Sequence, residues 1–204
     1  MSRIFLLRHA HSIANSKGIL AGHLPNIPLS KDGLKQRDEL NQRLVGVEFD
    51  QILSSPIQRC LETISIYRND KNLVLSDYLK DVDYGDWSGK RMTALNRRKE
   101  WRRIHSTPAT VRFPNGETLP EVQIRAIAGI ESLIKPKSKN VLVATHADVI
   151  KVMILHALGT HLNNLNRLTI NNASISILDF EDGDYHVLRV NDDTSTIKEL
   201  LKKR

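Results

Sequence analysis

A short apolar run near the start of the chain ends abruptly in an arginine and a histidine. Residues 4–7 read Ile-Phe-Leu-Leu, and Arg8 and His9 follow at once. A run of this length predicts a buried strand, and ligands of open α/β sheets bind at the carboxyl ends of strands. A guanidinium suits phosphate oxygens, and an imidazole can accept and release a group near neutral pH. An isolated Arg-His pair is more often a surface arginine and a structural histidine, so the prediction depends on the rest of the chain.

The same arrangement returns in the second half of the chain. Residues 141–144 are four apolar residues without alternation, which predicts a strand buried on both faces of a parallel sheet. This strand leads directly into Thr145 and His146, and a helix is expected from there to Leu158, closed by a glycine. A second strand therefore ends in histidine and opens a helix.

A third strand end contributes another arginine. Residues 51–54 predict a short strand, and Ser55-Pro56 is expected to start a helix that reaches about Tyr67, with the serine as its N-cap. Arg59 then lies in the first turn, off the buried stripe. If the strands are parallel, two arginines and two histidines meet at one sheet edge. Such a set suits a tetrahedral dianion: the arginines neutralise oxygens, one histidine attacks phosphorus and the other donates a hydrogen bond.

Strand and helix patterns alternate along most of the chain, which predicts an α/β fold. We expect a three-layer sandwich with a mostly parallel sheet, an antiparallel edge and helices on both faces. The antiparallel edge is expected from two strands that flank an Asp-Gly turn at 182–183. At 204 residues, the chain is expected to form a single domain over 1–204, with residues 81–118 as a candidate cap over the site. Further elements are expected at 30–44 (helix), 73–75 (strand), 119–133 (helix) and 197–204 (peripheral basic helix), with a loop at 10–29.

Several classes of protein are disfavoured by composition. No apolar run approaches the ~20 residues needed to span a bilayer, so no membrane association is expected. Cys60 is the single cysteine, which rules out an intrachain disulfide, and no signal peptide is visible, so a cytoplasmic location is expected. Neither a cysteine cluster nor a His-x-x-x-His spacing is present, so we expect no metal and no cofactor. A homodimer remains open.

The excess positive charge is concentrated in one stretch. The chain has a formal net charge of +7, and residues 90–103, here called the basic segment, hold seven basic residues against Glu100 alone. We expect one helix over about 90–103, with Arg102 and Arg103 as candidate substrate-binding residues. A basic surface can contact an anionic substrate, nucleic acid or an acidic partner. The alternative is an ordinary solvated helix face.

Taken together, these motifs resemble those of the histidine phosphatase superfamily, in its phosphoglycerate-mutase-like branch. The similarity runs in order from about residue 4 to 180 and includes small actinobacterial phosphatases of that branch. The matching stretches are Leu7-Arg8-His9-Ala10, residues 54–63 around Arg59, residues 113–118, Thr145-His146-Ala147-Asp148-Val149-Ile150 and Asn172-Ala173-Ser174-Ile175.

The resemblance implies a role for each matching residue. His9 would be the nucleophile that becomes a phosphohistidine, while Arg8, Asn15, Arg59 and His146 would bind the phosphate. A small phosphomonoester would be the substrate, and nucleic acid is not expected as a partner.

The general acid is the role for which the chain departs from the family pattern. Asp81 stands where the family usually has glutamate, and Ser88 replaces a second common glutamate. We expect Asp81 to donate the proton, with Asp148 as the main rival and Asp83 as a weaker one. Asp148 is also explained as an N-terminal helix cap. Alanines 10 and 147 replace two usual glycines beside the histidines, so the pocket is expected to be tighter.

Three functions compete at this stage. The first is a phosphomonoesterase that acts through a phosphohistidine. The second is a phosphoglycerate mutase, an isomerase, because Trp101-Arg102-Arg103 followed by Thr107-Pro108 faintly resembles the mutase segment that holds the far end of the substrate; mutases have a longer insertion there. The third is a non-catalytic binder that uses the basic segment, and the presence of the full Arg-His set disfavours it.

Overall fold

The computed structural model describes residues 1–202, and side chains for residues 1–199. Within this range, six strands form one sheet in the order β3-β2-β4-β1-β5-β6. The contacts among β1 to β4 are parallel, and β5 and β6 pair antiparallel at one edge. The predicted mixed sheet with an antiparallel edge is confirmed. The strands are β1 (Ser2–Arg8), β2 (Gln51–Ser54), β3 (Leu73–Leu75), β4 (Asn140–Thr145), β5 (Ile175–Glu181) and β6 (Asp184–Asp192).

The two strands that carry the histidines lie side by side at the centre of the sheet. β1 and β4 are parallel, and Arg8 pairs with Thr145. Parallel pairing without an offset puts both carboxyl ends at the same level. The residues that follow, His9 and His146, therefore emerge next to each other at one edge of the sheet.

Helices cover both faces of the sheet, as predicted. Ile4 and Leu6 pack in an apolar cluster with the helices Leu119–Leu133 and Ala147–Ala157. The alternate residues Phe5 and Leu7 pack in a second cluster with the helices Lys31–Leu44 and Ile197–Lys202. The helices are α1 (Ile13–Ser16), α2 (Lys31–Leu44), α3 (Gln58–Thr63), α4 (Met92–Leu95), α5 (Lys99–Ser106), α6 (Leu119–Leu133), α7 (Ala147–Ala157) and α8 (Ile197–Lys202). No helix in residues 1–202 is both long and apolar enough to cross a membrane.

The helix expected to begin at Ser55-Pro56 begins later and ends earlier. α3 starts at Gln58, and its N-cap position, Ile57, makes no side-chain cap. The Ser55 hydroxyl lies 3.0 Å from His146 Nε2 and accepts the N–H of Ile57, which precedes the first residue of α3. The serine therefore bonds at the sheet edge, two residues before the N-cap position of the helix that forms.

The prediction of a single helix over the basic segment is also wrong. The segment forms α4 and the start of α5, separated at Arg98, whose backbone is extended. Leu95 is fully buried, and Trp101 packs against the same core cluster. The two side chains therefore reach this cluster from two separate short helices rather than from one.

Two smaller expectations are corrected near the ends of the chain. The loop at 10–29 contains a one-turn helix, α1, because Ser12 and Asn15 form a reciprocal capping box. The C-terminal helix was expected to be peripheral, yet Ile197 is fully buried in the cluster with α2. Residues 203–204 of the helix predicted at 197–204 lie outside the described residues.

Candidate active site

His9 is buried at the end of β1 in one defined tautomer. Its Nδ1 lies 2.8 Å from the carbonyl oxygen of Ala10, which can only accept a hydrogen bond. The Nε–H of Arg59 donates to His9 Nε2 at 3.2 Å. These partners place the proton on Nδ1 and leave the lone pair on Nε2. Burial, with the charges of Arg59 and Arg8, lowers the pKa of His9 well below its ordinary value, so the ring is neutral at pH 7.

Arg59 joins the parts of the site. It is almost completely buried and comes from the first turn of α3, directly after β2, as predicted. Its Nη2 donates to the carboxylate of Asp81 at 2.7 Å and to the carbonyl of Gly22 at 2.9 Å, and it lies 3.1 Å from His146 Nδ1. One guanidinium thus contacts both histidines and the candidate acid.

The two arginines also have donors without a protein acceptor. Within residues 1–199, Arg8 Nε and Arg59 Nη1 are buried and make no hydrogen bond to the protein. Arg8 donates its Nη1 to the carbonyl of Ile170. Buried donors of this kind carry a desolvation cost unless an acceptor reaches them. Both residues line the same cavity, so an anion there can accept from both.

His146 faces the cluster through Nδ1. The centroid of its ring lies 5.2 Å from that of His9, and Nδ1 is 3.5 Å from the carboxylate of Asp81. On the other side, Nε2 lies 3.0 Å from the hydroxyl of Ser55. Burial, followed by the charge of Arg59, lowers the pKa of His146 well below its ordinary value. Both histidines are therefore uncharged at pH 7.

Asp81 lies in the irregular loop after β3 and joins the cluster through Arg59. Its Oδ1 accepts the N–H of Val82 at 2.9 Å. Burial raises the pKa of Asp81, and the charge of Arg59 opposes that rise. A raised pKa is the direction of shift that a general acid requires.

The two rival carboxylates have different surroundings. Asp148 lines the cavity. Its carboxylate accepts a hydrogen bond from the Tyr84 hydroxyl at 3.0 Å and forms an ion pair with Lys151 at 3.3 Å. It is not the expected helix cap, because the N-cap position of α7 belongs to His146. Asp83 binds the N–H of Gly85 instead and does not line the cavity.

The cluster opens into a cavity of about 230 Å³. Asn15 lines it, and its Oδ1 accepts from the backbone and hydroxyl of Ser12, each at 2.9 Å. Arg102 and Arg103 are exposed on α5 and are not among the lining residues. The structure therefore brings together every predicted site residue except these two. His146 belongs to the buried cluster through its contacts with Arg59 and Asp81, but it is not among the residues that line the cavity. Those that line the cavity include Arg8, His9, Asn15, Arg59, Asp81, Tyr84, Met92 and Asp148.

Sequence reasoning missed Tyr84 and the function of Ser55. Tyr84 is buried, and it lines the cavity between Asp81 and Asp148. Burial, with the charge of Asp148, raises its pKa well above the ordinary value, so its hydroxyl is protonated and donates. An aromatic residue in a short acidic loop was the available signal. No local signal indicated that Ser55 would contact a histidine 91 residues later.

Comparison with known proteins gives relatives that are named phosphatases and relatives that are named phosphoglycerate mutases. Phosphoserine phosphatase 1 of Hydrogenobacter thermophilus is 31% identical over 196 residues, which cover 94% of this chain and 92% of that protein. The 2,3-bisphosphoglycerate-dependent phosphoglycerate mutase of Thermoplasma acidophilum is 26% identical, and the match covers 98% of each chain. The solved structure of Bacillus stearothermophilus YhfR superposes with a TM-score of 0.86 at 26% identity, over 97% of this chain and all of that one. The similarity to actinobacterial phosphatases stays a prediction.

The family assignment rests on the length of the match as well as on the motifs. Residues 4–193 match the family model of the Histidine phosphatase superfamily (branch 1). The match therefore includes β2 to β6, all but the first two residues of β1, and the whole buried cluster (Arg8, His9, Arg59, Asp81 and His146). The chain belongs to the histidine phosphatase superfamily, in its branch 1.

Proposed function

We propose that this protein is a phosphomonoesterase that hydrolyses a small phosphorylated metabolite through a phosphohistidine. The observation that carries the proposal is the neutral His9 ring, whose Nε2 holds a lone pair beside Arg59 in the 230 Å³ cavity. A relative of 31% identity, named a phosphatase, supports hydrolysis. A cavity of this volume favours a substrate about the size of phosphoserine, which that relative's name specifies.

In the proposed reaction, His9 Nε2 attacks phosphorus while the bond from phosphorus to the substrate oxygen breaks. The departing oxygen takes a proton from Asp81, and the alcohol leaves. Water then attacks the phosphohistidine, Asp81 recovers a proton from that water, and phosphate and neutral His9 are restored. The Nδ1 contact with Ala10 supports this role because it keeps the nucleophilic nitrogen unprotonated.

The phosphate is bound, in this proposal, by Arg8, Asn15, Arg59 and His146. The unpaired Nε–H of Arg8 and Nη1–H of Arg59 support it because phosphoryl oxygens would satisfy both. These donors stabilise the charge that develops on the transferred group. A bound dianion would also compete with Asp81 for Arg59 and further raise the pKa of Asp81, which favours its protonated form when the substrate is present.

Hydrolysis is favoured over mutase transfer. A mutase must exclude water to protect its phosphoenzyme, and only a short stretch separates Pro108 from Pro114. Residues 81–118 act as a partial cap in this proposal; backbone hydrogen bonds between Leu20 and the pair Gly89 and Lys90 hold part of it beside the cavity. Interconversion of 2- and 3-phosphoglycerate faster than phosphate release would favour the mutase.

The proposal has three further parts. Arg102 and Arg103 select among substrates. The protein acts in the cytoplasm, and the oligomer that the proposal allows is a homodimer. Sedimentation of the pure protein measures its oligomeric state.

The test of the proposal compares two leaving groups. Para-nitrophenolate leaves readily without a proton, whereas a simple alkyl alcohol does not. We expect Asp81→Asn to slow alkyl phosphates by about 100-fold or more while para-nitrophenyl phosphate is affected far less, because general acid catalysis matters only for the poor leaving group. Asp148→Asn is the matched control. If Asp148→Asn shows the selective loss and Asp81→Asn does not, the acid is Asp148.

A further inference from the structure

A guanidinium outside the cavity holds the loop that carries Asp81. Arg125 lies in the middle of α6 and donates to three carbonyl oxygens: Tyr78 at 2.7 Å, Lys80 at 2.9 Å and Asp81 at 2.8 Å. Residues 80–84 are neither helix nor strand, so their carbonyls need other donors. Arginine has five N–H groups in a fixed planar fork. Arg125 uses three hydrogen bonds to bind the backbone between Tyr78 and Asp81.

The same guanidinium is fixed by a carboxylate that contacts the other side of the loop. Arg125 Nε and Nη2 donate to the two oxygens of Glu117 at 2.7 Å and 3.0 Å. Glu117 Oε2 also accepts the N–H of Asp83 at 2.9 Å, and the Glu117 N–H donates to the Asp83 carbonyl at 2.9 Å. The pair Arg125 and Glu117, here called the loop clamp, therefore binds the backbone on both sides of Val82.

Backbone contact between two loops leaves the clamped loop little freedom. A Cβ at Gly85 would lie 2.0 Å from the carbonyl oxygen of Pro114, and a Cβ at Gly116 would lie 2.3 Å from that of Asp83. Only glycine permits such an approach at either position. On the inner side, the buried hydroxyl of Thr145 donates to the carbonyl of Leu79 at 2.7 Å, which ties the loop to the end of β4.

We propose that Arg125 and Glu117 are positioning residues that hold Asp81 at the distance from the leaving oxygen that proton transfer requires. This inference rests on the proposed role of Asp81 as general acid. Neither residue of the loop clamp lines the cavity. The hydrogen bonds of Arg125 go to Glu117 and to the loop backbone, so the clamp is assigned no contact with the phosphate. The clamp acts on the placement of one carboxyl, and a displacement of 1 Å can cost about 100-fold in rate.

The experiment adds Arg125→Lys to the leaving-group comparison. Lysine keeps the charge but cannot reach three carbonyls and two carboxylate oxygens together. We expect kcat for an alkyl phosphate to fall by about 10- to 100-fold, and kcat for para-nitrophenyl phosphate to change by less than about threefold. In the double variant Asp81→Asn/Arg125→Lys, the selective loss should equal that of Asp81→Asn alone, because nothing remains to be positioned.

Arg3→Lys is the matched control. Arg3 makes the same two-bond contact with Asp179, at 2.7 Å and 2.9 Å, at the opposite end of β1. A purely structural loss should lower the melting temperature in both variants without changing the ratio of the two substrates. If Arg125→Lys does not fold, Glu117→Gln provides the same measurement.

The outcomes separate the clamp from the acid. Equal losses on both substrates in Arg125→Lys, or a further selective loss in the double variant, would overturn the positioning role while Asp81 remains the acid. Absence of selectivity in Asp81→Asn itself would overturn the acid assignment, and the clamp inference with it.

Discussion

The buried cluster and the basic segment both collect positive charge, but they differ in how that charge is bound. In the cluster, Arg59 is buried and lies within 2.7–3.2 Å of Asp81 and both histidines. In the basic segment the arginines and lysines are largely exposed, and none of them forms an ion pair with a carboxylate among residues 1–199, for which side chains are described. The basic segment has more cationic side chains, whereas the cluster has the contacts between a cation and a carboxylate.

The difference shows that burial and partners, more than the number of charges, determine what a cation can do. A buried guanidinium that bonds to several buried partners has a fixed geometry, and its removal leaves those partners unpaired, which is strongly destabilising. An exposed one is screened by water and salt and contributes little alone. Substitutions in the buried cluster should therefore change rates by orders of magnitude, and substitutions in the basic segment should change preferences.

The largest effect is expected for His9. His9→Ala removes the proposed nucleophile, so kcat should fall by about 10⁴-fold or more, as in other enzymes deprived of one. A quench under alkaline conditions with labelled substrate should trap an acid-labile phosphoenzyme in the unchanged protein and none in the variant. His105→Ala, in α5, is the control and should retain the adduct. A labelled adduct in His9→Ala would assign the nucleophile to another residue.

The next effect compares one substitution in both regions. Arg59→Lys keeps the charge but loses the planar fork that reaches His9, Asp81 and His146 together. Its kcat should fall by about 100-fold or more, comparable to removing a donor to the developing charge, with a smaller change in KM. Arg102→Lys should stay within about threefold, since an exposed charge is retained. Similar losses in the two variants would remove the distinction between the regions.

What could be predicted from the sequence depends on whether a feature is a local pattern or a contact between residues far apart in the chain. The ends of β1 and β4 were predictable because an apolar run that stops at a histidine is a local pattern, and parallel pairing then brings His9 and His146 together. The break at Arg98 was not predicted, because the basic segment has no glycine or proline at that point and the extended backbone of Arg98 is visible only in the structure. The contacts of Arg125 were also hidden, since they join residues 44 to 47 positions apart.

A smaller effect concerns stability in acid. Burial lowers the pKa of His9 and His146 below the ordinary value of 6.5, so the folded state stays unprotonated where the unfolded state binds protons. Below pH 6.5 each histidine should therefore reduce the free energy of unfolding, by up to about 1.4 kcal/mol per pH unit. Burial raises the pKa of Asp81. Its contribution to the free energy of unfolding therefore increases as the pH falls, which is opposite to that of the histidines. Urea titrations between pH 7 and 5 should show a shallower loss of the free energy of unfolding in His146→Asn than in the unchanged protein.

The smallest effect is expected in the basic segment, where the question is whether any charge contacts the substrate. Arg102 and Arg103 do not line the cavity, but Met92 of the same segment does, and Arg91 pairs with Ile19 beside it. A substrate with a second anionic group could therefore extend from the phosphate pocket toward this surface. Arg102→Glu/Arg103→Glu should lower kcat/KM for substrates with a second anionic group by about three- to tenfold at low salt, an effect that screening should abolish as salt rises. Para-nitrophenyl phosphate has no such group and should be unaffected. The matched double variant Arg97→Glu/Arg98→Glu changes the net charge equally, so an identical change in substrate ranking there would mean that the whole segment acts only as a diffuse field.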